Sequence, residues 1–298
     1  MNISTLFPSQ CILGESPLWH RESQSCFWVD IHESILYQYD FLSAQPKQWE
    51  VKEHISLAVE GPADNIILAV KGGILNFNLK TAHKTWLVDI EKDILNNRCN
   101  DGGCDVQGRL WVGTMDMAFK ENAGSLYRID NDLAIIKMVS NRTIPNGLTW
   151  SLHNERMYFI DTPSRTVVSY LYNKNSGEIY FEKIAVTIPS DMGMPDGMAI
   201  DAEGMLWIAL YNGGCITRWN PSTEELLDRI DLPAMHITNC AFVGNDLSSL
   251  IVTSARENLS REQLNDYPES GNVFLIRDFP VKGKHINKAG LNFNSIQI

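Results

Sequence analysis

Along most of the chain, apolar and polar residues mix in short runs rather than recurring every three or four positions. Cys26-Phe27-Trp28-Val29-Asp30, Ile35-Leu36-Tyr37-Gln38-Tyr39, Arg109-Leu110-Trp111-Val112-Gly113 and Met205-Leu206-Trp207-Ile208-Ala209 are rich in aromatic and β-branched residues. Runs of this length and composition, bounded by Gly, Asn and Asp, predict β-strands. Between them, Lys71-Gly72-Gly73, Gln107-Gly108, Glu203-Gly204 and Asn212-Gly213-Gly214 fall at hairpin spacing, where glycine suits tight turns. No long amphipathic helix can be placed, and Arg261 to Leu264 reads as one short turn. No linker rich in Pro, Ser or Gly divides the chain, so residues 1–298 read as a single all-β domain.

The runs belong to a repeat. At intervals of about 40–50 residues a polar residue precedes a small one, and an apolar strand follows. The set is Gly14-Glu15-Ser16-Pro17-Leu18-Trp19, Val59-Glu60-Gly61-Pro62, Asn100-Asp101-Gly102-Gly103, Pro145-Asn146-Gly147-Leu148-Thr149-Trp150, Pro195-Asp196-Gly197-Met198-Ala199 and Thr238-Asn239-Cys240-Ala241-Phe242. The second unit is the weakest match. Further strands follow most of them, as in Gly124-Ser125-Leu126-Tyr127-Arg128-Ile129-Asp130 and Gly271-Asn272-Val273-Phe274-Leu275-Ile276. Four-stranded units at this period predict a six-bladed β-propeller around a central channel. Trp19, Trp28, Trp111, Trp150 and Trp207 then read as packing between blades.

A propeller places equivalent positions of its blades at one height and radius. The repeat therefore predicts a ring of Glu15, Glu60, Asn100 or Asp101, Asn146, Asp196 and Asn239 at one mouth of the channel. Taken singly, each Asp-Gly or Asn-Gly pair reads as a turn former; six in register point to a site. Carboxylates crowded without a lysine repel one another unless a cation or protons neutralise them. The predicted donors are the carboxylates of Glu15 and Asp196 and the amide oxygen of Asn146. All are oxygens, which suits Ca²⁺, Mg²⁺ or Mn²⁺ better than structural zinc, and three ligands leave room for water and substrate.

Charge and composition narrow the function further. The chain carries 25 Lys+Arg against 36 Asp+Glu, a net −11, with no basic cluster, which argues against nucleic acid. Its apolar runs are strand-sized, far short of the roughly 20 residues that span a bilayer. The segment MNISTLFPSQC lacks the basic and apolar regions of a secretory signal. Cys11, Cys26, Cys99, Cys104, Cys215 and Cys240 are scattered without paired zinc-type spacing, and they read as buried free thiols of a cytoplasmic protein. The seven histidines have no ligand spacing, and no Gly-x-Ser-x-Gly elbow, phosphate loop or dinucleotide fingerprint occurs. The sequons at Asn2, Asn141 and Asn258 are immaterial in that compartment.

Several segments resemble the senescence-marker-protein/gluconolactonase/regucalcin family, which includes luciferin-regenerating-enzyme-like proteins. They are Gly14-Glu15-Ser16-Pro17-Leu18-Trp19, Asn97-Arg98-Cys99-Asn100-Asp101-Gly102, Gly108-Arg109-Leu110-Trp111-Val112-Gly113-Thr114-Met115, Pro145-Asn146-Gly147 and Pro195-Asp196-Gly197-Met198-Ala199-Ile200-Asp201. Gly204 through Gly214, Thr253-Ser254-Ala255-Arg256 and Val281-Lys282-Gly283 fit as well, so the likeness runs from about residue 11 to 290 in family order. The resemblance implies a six-bladed propeller that binds one divalent metal (Ca, Mg, Mn, Zn or Fe) and hydrolyses a small-molecule sugar lactone to the aldonic acid. It implies Glu15, Asn146 and Asp196 as metal ligands, with Asp196 also the general base. It makes Arg98 and Asn100 the groups that hold sugar hydroxyls and lactone oxygens. Some relatives carry acidic residues just after the Gly-Thr-Met segment; here Asp116 stands nearest as a substitute substrate contact, and Cys99 replaces a commonly bulky aromatic. Two rivals keep the same site: a non-catalytic calcium-binding or regulatory propeller, and a phosphoester or organophosphate hydrolase. A monomer or a homodimer is expected.

Overall fold

The computed structural model describes residues 1–292. Among them the strands assemble into six four-stranded antiparallel sheets. Five sheets are built from successive strands in chain order, and their innermost strands are Gly14–His20, Ile55–Glu60, Asn97–Cys104, Pro145–Trp150 and Met194–Ile200, taken as blades 1 to 5. Blade 6 has His236–Val243 innermost, then Ser249–Ala255 and Val273–Arg277. Its outermost strand is Asn2–Phe7, from the other end of the chain. Inner strands of neighbouring blades touch all the way round, blade 6 against blade 1 included. This is the all-β six-bladed β-propeller that the repeat predicts.

Burial follows radius. The inner strand of blade 6 is buried along its whole length, whereas the outer strand Gln45–Glu50 of blade 1 is mostly exposed. The core lies between blades. Trp28, Trp111 and Trp207 sit in second strands and are fully buried; Trp28 and Trp207 share one apolar cluster, and Trp111 meets Trp150 edge-on at 6.1 Å. Two of these indoles are fixed by the turn before their strand. Trp111 Nε1 donates to Asp105 Oδ2 (3.0 Å) and Trp207 Nε1 to Asp201 Oδ2 (3.1 Å), and Arg109 and Arg218 pair with the same carboxylates. The tryptophans thus pack as expected. All six cysteines are free and buried.

Among the described residues, helix is limited to the short Arg261–Asp266, started by a Ser260–Gln263 capping box, and a 3-10 turn at Thr162–Ser164. A strap over residues 281–292 covers one mouth of the channel. Lys284 N donates to Ile200 O (3.2 Å), Lys284 Nζ to Trp150 O (3.1 Å), Asn287 Nδ2 to Cys104 O (3.1 Å) and Ala289 N to Glu60 O (2.7 Å). Those acceptors are the C-terminal ends of four inner strands. The opposite mouth, at the strand starts, stays open.

One ring residue is corrected by this direction. Glu60 ends its inner strand, because Gly61 N bonds Asn65 O and Gly61-Pro62 forms the hairpin turn. It therefore lies under the strap, paired with Lys288 and 3.4 Å from His20 Nε2. Ser56 holds the equivalent place near the start of that strand, at the register shift between Ile55 and Leu57.

Candidate functional site

Each inner strand breaks register near its start: Glu15/Leu18, Cys99/Gly102, Asn146/Leu148, Pro195/Met198 and Ile237/Asn239 bracket the shifts in blades 1, 3, 4, 5 and 6. A bulge re-aims a side chain that regular pleating would bury between blades. In blade 1, Ser16 adopts φ 53 at the bulge, and its hydroxyl accepts from Ala58 N at 2.8 Å, tying Glu15 to blade 2. The glycines after Asn146 and Asp196 lie within strands, so the turn reading of those pairs does not hold. Their role is close approach. A Cβ on Gly197 would meet Asn239 Cγ at 2.0 Å, and one on Gly147 would meet the Asp196 carbonyl oxygen at 2.8 Å.

A cavity of about 260 Å³ opens at the unstrapped mouth, lined by Glu15, Asn146 and Asp196 and by Arg98 and Asn100, among others. Asn146 Nδ2 donates to Thr162 Oγ1 (3.0 Å), which in turn donates to Pro195 O (2.9 Å). That chain fixes the amide, and its Oδ1 is buried with no donor. Leaving such an acceptor dry costs about 1–3 kcal/mol. Glu15 Oε2 accepts from Ser16 N and from Asn239 Nδ2, both at 3.1 Å. The ambiguity at Asn100 and Asp101 resolves into two roles. Asn100 lines the cavity, while Asp101 lies deeper in the channel, its Oδ2 3.5 Å from Asn239 Nδ2 and its Oδ1 bonded to Gly102 N.

Burial, followed by the charge of Asp101, pushes Glu15 up to about 8. Burial lifts Asp101 to about 6 against the bonds from Gly102 and Asn239. Asp196 rises well above the ordinary carboxylate range through burial and the charges of Glu15, Asp101 and Glu257. Three buried acids all raised above the ordinary carboxylate range are short of positive charge. Among the described residues no group of three or more His, Cys, Asp or Glu forms a metal centre; the set here is two carboxylates and an amide. Its oxygens and the orphaned Asn146 acceptor fit a divalent cation.

Arg98 is the one cation among the residues lining the cavity. Its Nη1 donates to Asn100 Oδ1 (2.6 Å) and Cys99 O (2.9 Å), and Asn100 Nδ2 donates to Pro145 O (2.8 Å), so the pair is held as a unit. Asp116 is not brought to the cavity. Its Oδ1 accepts from Ala118 N at 2.7 Å and closes its own turn, and Met115 and Phe119 line the wall instead. Cys99 is buried behind Arg98, with burial pushing its thiol up to about 12.

Glu257 and Tyr211 escape the sequence reading. Both line the cavity from blades 5 and 6, with Tyr211 Oη donating to Glu257 Oε1 at 3.2 Å and stacking on His236 at 4.0 Å. Tyr211 lies inside a segment that carries the family resemblance and Glu257 directly follows another, and that was the signal available.

Residues 13–256 match the family model described as the SMP-30/gluconolactonase/LRE-like region. A Bacillus subtilis (strain 168) protein provisionally named sugar lactone lactonase YvrE is 32% identical over 267 residues, covering 89% of this chain and 91% of that one. Regucalcin of Macaca fascicularis is 33% identical, with 95% and 96% covered. The crystal structure of a calcium-binding protein, regucalcin, from Agrobacterium tumefaciens superposes with a TM-score of 0.91 at 27% identity, covering 96% of each chain.

Proposed function

We propose that this chain, which belongs to the SMP-30/gluconolactonase/LRE-like family, hydrolyses a sugar lactone to the open aldonic acid with one divalent cation. The observation that carries the reading is the donor set of Glu15, Asp196 and the unpartnered Asn146 Oδ1 in a cavity that also holds Arg98 and Asn100. The name of the Bacillus relative supports a lactone substrate, and the calcium-binding description of the Agrobacterium structure supports a metal. Oxygen donors favour Ca²⁺, Mg²⁺ or Mn²⁺ over Zn²⁺ or Fe²⁺.

A divalent cation held by Glu15, Asn146 and Asp196 would polarise the lactone carbonyl and offset the charge that develops on its oxygen. The chain's own residues do the rest. Asp196, deprotonated when a cation takes the place of its proton, accepts a proton from the attacking water at a carboxylate oxygen. The new C–O bond to water forms first; the ring C–O bond then breaks, and the ring oxygen leaves as a hydroxyl by taking up the proton that Asp196 had accepted, which returns Asp196 to its carboxylate form. Arg98 and Asn100, locked together by the 2.6 Å bond, present fixed donors to the ring oxygen or hydroxyls and orient the carbonyl carbon toward the water.

The test is acid release from a panel of aldonolactones by metal-stripped protein, before and after adding single divalent ions. Turnover should depend on the ion, vanish in Glu15→Ala and fall by about 10²-fold or more in Asp196→Asn. Tight metal binding with no turnover on any lactone would move the reading to a non-catalytic metal-binding propeller. Turnover on phosphoesters alone would move it to the other hydrolase.

A further inference from the structure

We infer that Glu257 is a specificity-determining residue: an acceptor wall that recognises the hydroxyls of a polyhydroxylated lactone, in the same cavity as the donor wall of Arg98 and Asn100. The inference rests on the lactonase reading for the identity of the substrate. Three acids line the cavity, Glu15, Asp196 and Glu257. The first two belong to the cation set, and Asp116 closes its own turn, so Glu257 is the carboxylate left to face a sugar.

Its placement is built by three blades. The backbone N–H groups of Arg256 and Glu257 both donate to Ile12 O, at 3.0 and 2.9 Å, which pins the loop after the blade 6 strand Ser249–Ala255 to the entry of blade 1. Tyr211, at the end of the blade 5 strand Leu206–Tyr211, donates to Oε1 (3.2 Å). His32, in the loop after the blade 1 strand Ser25–Asp30, stands 3.0 Å from Oε2. The carboxylate is largely covered, with 18% of its side chain exposed. Two carboxylate oxygens offer about four lone-pair sites, and one donor on each leaves acceptor capacity for two neighbouring hydroxyls.

The chemistry divides the two walls. Guanidinium and amide N–H groups bind oxygen lone pairs, which a lactone has with or without hydroxyls. A carboxylate accepts only from donors, so it rewards hydroxyls and penalises a bare apolar ring, whose approach would strip water from the charge. Glu257 should therefore act on the choice between lactones more than on ring opening.

The experiment compares a fully hydroxylated aldonolactone with unsubstituted γ-butyrolactone on metal-loaded wild-type, Glu257→Gln and Tyr211→Phe proteins. Binding of a linear sugar alcohol, which has the hydroxyls and no ring to open, is measured alongside by calorimetry. In Glu257→Gln the ratio of kcat/KM for the hydroxylated over the bare lactone should fall about tenfold or more, chiefly through KM, and sugar-alcohol affinity should fall in parallel. Tyr211→Phe, which keeps the charge and loses one tether, should move the same ratio by roughly two- to fivefold. Equal losses on both lactones, or a sugar-alcohol affinity unchanged by Glu257→Gln, would overturn the inference. If the wild-type protein opens neither lactone, the hydrolase reading fails, while the sugar-alcohol measurement still decides on Glu257; no binding to the wild type rejects it.

Discussion

At the scale of single residues, the site is governed by where its protons sit. Glu15 is lifted from an ordinary 4.5 to about 8 and Asp101 from 3.8 to about 6, both first of all by burial. A carboxylate whose pKa is raised on folding binds its proton more tightly in the folded state. The folded chain therefore holds more protons between the ordinary and the raised values, and stability falls as pH rises through that window. A divalent cation competes with the proton for the Glu15 oxygens and binds only their deprotonated form, so its affinity should climb over the same range. Metal-free protein is thus expected to lose thermal stability from about pH 5 to about pH 8, with a shallower loss in Glu15→Gln and in protein saturated with cation. Thermal unfolding at three pH values, with chelator or with saturating metal, checks this. A metal-free midpoint that is as flat as that of Glu15→Gln would show that burial at Glu15 does not hold a proton.

The element that matters is the inner strand, with its bulge and its glycine. Gly197 leaves room for the amide of Asn239, which in turn donates to Glu15 across the gap between blades. Gly197→Ala would put a methyl where that amide stands, and overpacking of this kind typically costs about 1–3 kcal/mol. Because the displaced atoms are the end of a side chain, the strand should survive while Glu15 loses its partner. The expected result is a lowered melting point, partly restored by Asn239→Ala in the same chain, together with weakened metal binding in calorimetry, which that second change does not restore because it removes the same partner of Glu15; a melting point that drops with metal affinity untouched would separate Gly197 from the site. The strands and the period of the repeat were legible because each blade buries the same apolar pattern. Glu15, Asn146 and Asp196 were legible because each stands at the same step of that pattern. Glu60 was misread for a local reason: Val59-Glu60-Gly61-Pro62 has the right letters, but its glycine opens a hairpin turn whereas Gly147 and Gly197 lie in mid-strand. Glu257 had no repeat mate to reveal it, since it stands on a loop whose position depends on Ile12, Tyr211 and His32. Asp116, expected as a substrate contact, lies off the lining of the cavity, with its Oδ1 accepting from Ala118 N in its own turn.

On the scale of the whole molecule, a ring of blades is only as firm as its last seam. Here the seam between blades 6 and 1 is closed by Asn2–Phe7, which pairs with Val273–Arg277 from Asn2↔Arg277 to Phe7↔Val273. Phe7 also reaches blade 1, with its ring 5.8 Å from Trp28 and 6.3 Å from Tyr37. The same seam runs through the site, since Thr238 Oγ1 donates to Gly14 O and Asn239 Nδ2 to Glu15, each from blade 6 to blade 1. The strap at the far mouth bonds inner strands of blades 2 to 5 and also reaches both sides of this seam, through Gly283 N to Leu247 O (2.9 Å) in blade 6 and Lys288 Nζ to Glu22 Oε1 (3.0 Å) in blade 1, while Asn2–Phe7 supplies the seam's strand pairing. Removing Met1–Phe7 should therefore do two things at once. It exposes the edge of Val273–Arg277, an invitation to association between copies, and it lets blade 1 shift relative to blades 4 and 5, carrying Glu15 away from Asn146 and Asp196. Phe7→Ala is the milder form. Phe7 is partly buried, so its truncation should remove about 1–3 kcal/mol, roughly 2–5 °C in the melting point of a chain of this size. A cation that bridges blades 1, 4 and 5 stabilises the ring by an amount set by its affinity, so the gain in melting point on adding metal should be smaller in the truncated chain than in the intact one. An equal gain in both would mean that the site keeps its geometry without the closed seam, and that the three donor strands are positioned by their own bulges alone.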